Sequence, residues 1–153
     1  MFETIYNWFT SFYGGDMADY LSGYICPSVE SDGGFMGANQ YIMYGMIALA
    51  FASAVAVIFY YVIDHPRYNK VWHWLLLVLL VGASNFGVAV AMLRDEWFTV
   101  GTAECLINGE NGGLNGNTCI GFGMAHAFVS ILFFITISLS IKWRSRNCKR
   151  CPF

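Results

Sequence analysis

Three stretches of this chain are long, apolar and free of Asp, Glu, Lys and Arg, at about 41–63, 71–93 and 120–141. No other feature limits the fold as strongly. A bilayer core about 30 Å thick is crossed by about 20 residues rising 1.5 Å each, and all three stretches meet that length. In lipid the backbone must satisfy its own hydrogen bonds, so each is expected as a helix. The rest of the chain cannot supply a layer to bury three such helices in water. Only 12% of its 153 residues are charged, about half the usual share of a soluble domain. The expected fold is therefore an all-α membrane protein. It has three transmembrane helices, a short N-terminal interfacial helix and a disulfide-braced extracytoplasmic loop.

Three segments follow from this: an extracytoplasmic head (1–40), a transmembrane domain with its outer loop (41–141, loop 94–119), and a basic tail (142–153). Five of the eight basic residues lie in the tail: Lys142, Arg144, Arg146, Lys149 and Arg150. Arg67 and Lys70 lie in the short loop on the same side. The head has no basic residue, and the 94–119 loop has only Arg94. By the positive-inside rule the N-terminus is outside and the tail cytoplasmic in a multi-pass arrangement, and the short length and lack of a glycosylation sequon point to a bacterial inner membrane. The tail is suited to anionic lipid. No cleavable signal peptide is visible, because a basic start and an early apolar run are missing.

Aromatic residues gather at the span ends: Tyr41, Tyr44, Tyr60, Tyr61, Trp72, Trp74, Trp97 and Trp143. Such rings favour the headgroup level, which reads as an aromatic belt. In the head, Phe2, Ile5, Tyr6, Phe9, Phe12 and Tyr13 recur at helical spacing, with Trp8 beside them and Gly14-Gly15 as a stop. Two fates stay open for that face, the membrane interface or packing on the outer loop of the same protein or of a neighbour. Asp16 is expected to cap a second short helix running to Ile25, with Asp19 as its third-position acid. The Asn-Gly pairs Asn108-Gly109, Asn111-Gly112 and Asn115-Gly116 read as a turn-rich loop with room for one small hairpin.

Three cysteines, Cys26, Cys105 and Cys119, fall outside, where disulfides form. Cys105 and Cys119 flank the turn-rich loop, and closing it would contribute about 3 kcal/mol, so their pairing is the first expectation. Cys26 bonded to one of the two is the rival. Cys148 and Cys151 are expected as reduced thiols, since a zinc site needs four ligands and no second pair is present.

Polar groups within spans are costly and tend to serve a purpose. Ser84 and Asn85 lie in the second span, His126 and Ser130 in the third. Asn85 is about nine residues from the outer end and His126 about six, roughly one helical turn apart in depth. They are candidates for interhelical polar contacts or for the lining of a pore between subunits. Rows of small residues (Ala48, Ala52, Ala56; Ala83, Gly87, Ala91; Gly121, Ala125 beside Gly123, Ala127) allow close helix packing. A three-helix bundle has no room for a channel of its own.

No nucleophile–base arrangement, carboxylate pair, cofactor loop or metal set is present. The expectation is a non-enzyme with no cofactor, no metal and no nucleic-acid partner. Its partners are the lipid bilayer and either itself, as a homo-oligomer forming a pore or channel, or another membrane protein whose complex it serves as an accessory subunit.

Overall fold

The computed structural model describes residues 1–27, 33–35, 37–63, 71–99, 104–107 and 113–142. The head forms α1 (Phe2–Asn7), α2 (Thr10–Tyr13) and α3 (Gly15–Leu21). A two-residue antiparallel pair follows, β1 (Tyr24–Ile25) with β2 (Gly34–Phe35). The spans are α4 (Gln40–Val57), which continues as a π-helix (Ile58–Ile63), α5 (Val71–Thr99) and α7 (Gly116–Lys142), with the short α6 (Glu104–Ile107) before the last. Three helices are thus long and apolar enough to cross a membrane. This is a small multi-pass membrane protein.

Local chemistry sets the boundaries. Asn39 caps α4, its side-chain oxygen accepting from the Tyr41 amide at 3.0 Å. Asn115 serves α7 in the same way, accepting from the Asn117 and Thr118 amides at 2.9 and 3.1 Å. The sequence marks Asn115-Gly116 as a turn, but a free asparagine oxygen beside amides without partners starts a helix equally well. The third span therefore begins four residues before the expected Ile120. The pairs at Asn108 and Asn111 lie outside the described residues. Asp16 is not a cap. It sits inside the first turn of α3 behind Gly14, and its buried carboxylate accepts from the Gly113 amide at 2.8 Å. The only strand pair among the described residues lies in the head rather than in the loop.

α7 is the central helix and packs on both α4 and α5. On the α4 side, Ala48, Ala52 and Ala56 are fully buried, as their spacing predicts. The α5 side corrects the sequence reading. Ala83, Gly87 and Ala91 are exposed, and the buried face of α5 is Val81, Gly82, Asn85, Ala89 and Leu93. Close approach there depends on Gly82, which receives Ile131, and on Gly123, which receives Val90 and Phe86. Gly123 belongs to the Gly123–Ala127 row that the spacing marks, whereas Gly82 has no small residue four positions away and was not revealed by it.

The aromatic belt is likewise split. Tyr61 and Trp72 are exposed, while Tyr41, Tyr44 and Tyr60 are buried and belong to the core. A large cluster formed by the head, α4, α5 and α7 fills one end of the bundle. Smaller clusters around Phe134 and Tyr60 fill the other.

Candidate functional site

The first sixteen residues fold back over the bundle as a strap. Two glycines let it approach. At Gly45 any side chain would collide with the Phe2 ring, and at Gly121 with the Phe12 carbonyl. The strap buries Tyr6 and Tyr13 against α4 and α7. α7 presents Phe122, His126 and Ser130 at intervals of four, hence on one face, and all three are buried.

The Tyr6 hydroxyl and His126 Nδ1 lie 2.7 Å apart and share a hydrogen bond. The two rings are stacked, with centroids 6.0 Å apart, and Tyr44 meets the imidazole edge-on at 5.7 Å. Phe122 closes the cage at 6.1 Å from His126. The Tyr13 hydroxyl donates to the Tyr6 carbonyl at 2.9 Å and lies 3.3 Å from the Tyr41 hydroxyl. Burial, with Tyr13 nearby, holds the Tyr6 hydroxyl far above the ordinary phenol range. Burial also raises Tyr13, partly offset by its hydrogen bonds with Tyr41 and Thr10. Both remain protonated near neutrality and available as donors. Their chemistry is that of a clasp: Tyr6 holds the strap to α7 through His126, and Tyr13 holds it to α4 through Tyr41.

The other candidates lie elsewhere in the bundle. Asn85 is buried, and its Nδ2 donates to the Val81 carbonyl of its own helix at 2.9 Å. Ser130 donates to the carbonyls of His126 and Ala127. Ser84 is half-buried. His126 bonds to Tyr6 and Asn85 to its own backbone, so the two do not form the pair that their similar depths suggested.

A second knot was missed in the sequence. Ser138 Oγ accepts from Trp74 Nε1 at 3.0 Å and lies 2.7 Å from the Tyr60 hydroxyl. One serine thus joins all three spans. Tyr60 and Trp74 read as belt residues because only ring type and position were visible. The signal that could have found them is a serine placed opposite two rings with polar edges.

The structure corrects the pairing expected between Cys105 and Cys119. The disulfide joins Cys26 to Cys105, with Cα atoms 5.8 Å apart, well within bridging range. Cys119 is a free, buried thiol. The cause is the early start of α7, which draws Cys119 into a helical turn, while Asp16 and the Leu114–Leu106 backbone bond bring α6 up to the head. The brace therefore ties head to loop, across 79 residues.

Lys142 ends α7; Arg144, Arg146, Cys148, Lys149, Arg150 and Cys151 lie outside the described residues. Among the described residues no three His, Cys, Asp or Glu side chains are placed to share a metal ion. No protein-family model, curated protein or solved structure matches the chain.

Proposed function

We propose that this protein is a non-catalytic component of a membrane assembly, carrying a cross-linked cap at one surface of the bilayer. Its partner is another membrane protein or a second copy of the chain. The charge distribution supports a multi-pass orientation with the cap outside and the basic tail in the cytoplasm, against anionic lipid. The observation that carries this reading is where the intramembrane polarity is used. His126 Nδ1 is committed to the strap while its buried Nε2 has no partner among the described residues, Asn85 Nδ2 bonds the Val81 carbonyl, and Ser130 bonds its own helix. All three are buried inside the three-helix bundle, which disfavours a path between subunits lined by Ser84, Asn85, His126 and Ser130. What the chain builds instead is the cap, held by a disulfide, a buried carboxylate and the tyrosine clasp.

Light scattering in mild detergent and ion flux in proteoliposomes test the proposal. The expected result is no flux above protein-free vesicles. A closed ring that conducts, and loses conduction in Asn85→Leu, would replace this reading with the pore.

A further inference from the structure

We propose that one edge of the strap, formed by Met1, Ile5, Trp8 and Phe12, is a lipid-contacting surface that sits in the leaflet beside α7. The strap has three sides, as its helical spacing of about 100° per residue dictates. Phe2, Tyr6, Phe9 and Tyr13 face the bundle and are buried or half-buried. Glu3, Thr4, Asn7 and Ser11 form an exposed polar side. Between these lies the third side, with Met1 87%, Trp8 78% and Phe12 56% exposed, and Ile5 half-buried. A helix with water on all its outer surface has no use for so much exposed apolar area.

Two observations identify lipid as its occupant. The first is depth. The Phe2 ring reaches Gly45, five residues inside the start of α4, or about 8 Å along the helix, and on the edge itself the Phe12 backbone meets Gly121, five residues inside the start of α7. The Glu3 carboxylate stays level with Asn39 at the head of α4, accepting from its Nδ2 at 3.0 Å. The polar side thus lies where the span begins, and the apolar residues reach below it, as in a helix lying in a membrane interface. The second is continuity. Phe12 of the edge packs on Phe9 at 6.1 Å and Phe9 stacks on Phe128 at 6.3 Å, and Phe128 is itself exposed on α7, with Met124 and Leu132 on the same side. That side of α7 belongs to a membrane span, so the strap edge extends a surface that already faces acyl chains.

The test uses the full chain in proteoliposomes. Tryptophan emission is compared between the wild type and Trp8→Phe, and the difference gives Trp8 alone. The side chain is 78% exposed, so the variant keeps its fold. Brominated phospholipids are expected to quench most of this difference, with aqueous iodide quenching little of it. Iodide quenching as strong as that by lipid would place the edge in water. A signal spared by both quenchers would mean that a protein surface covers it. Either result overturns the proposal.

Discussion

At His126, α7 is tied to a tyrosine 120 residues away, on a strap that is not part of any span. At Ser138, about 18 Å further along the same helix, it is tied to Tyr60 and Trp74 on its neighbouring spans. The second knot needs only the three helices to pack. The first also needs the head to fold back, dock through Gly45 and Gly121, and be braced by Cys26–Cys105. The strap end of the bundle is therefore conditional on structure outside the spans, and the opposite end is not. Local opening is expected to begin at the strap and to leave the Ser138 knot intact.

The disulfide offers the largest test of that contrast. Replacing Cys26 or Cys105 with Ser should loosen the cap by about 4.5 kcal/mol, the chain-entropy value for a loop this long. The effect will be smaller if α4 and α5, which lie within the loop, stay helical in lipid when the cap opens. Hydrogen exchange in nanodiscs should rise across residues 2–27 and stay unchanged near Ser138. Cys119→Ser should leave the Cys26–Cys105 link in non-reduced peptide maps, and its loss there would refute the pairing. Gly121→Val comes next. A side chain at that position meets the Phe12 backbone, and such overpacking costs about 1–3 kcal/mol. Strap amides should exchange faster and the opposite end should not respond. The smallest effects compare the knots directly. Tyr6→Phe leaves His126 without its partner and should cost about 1–2 kcal/mol, read as strap opening. Ser138→Ala removes the hydrogen-bond partner that Trp74 and Tyr60 share and should cost about 1 kcal/mol, read at the other end. If Tyr6→Phe loosens both ends equally, the bundle opens as one unit and the contrast fails.

The spans were readable in the sequence because lipid imposes one demand, length without charge, that shows directly in residue type. The polar candidates were readable for the same reason: His126, Asn85 and Ser130 stand out in apolar runs, and all three are buried. Their partners were not, because Tyr6 reaches His126 only after a fold-back that no local pattern encodes. The cysteine pairing failed on the same point. Closeness in sequence favoured Cys119, but the Asn115 cap and the Asp16 carboxylate decide which sulfur faces Cys105. Ring type could not distinguish belt from core either, since Tyr60 and Tyr61 are neighbours with opposite fates.

Those opposite fates lead back to the wide turn that ends the first span. In an α-helix each residue advances about 100°, so the inward row Ala48, Ala52, Ala56 drifts about 40° at every step and would carry Tyr60 past the side that faces α7. The π-helix of Ile58–Ile63 turns less per residue. It acts as a vernier, cancelling part of the drift so that Phe59 and Tyr60 both point inward. The added slack of one loose turn aims a phenol at Ser138, and a chain shortened by one residue there would miss its target.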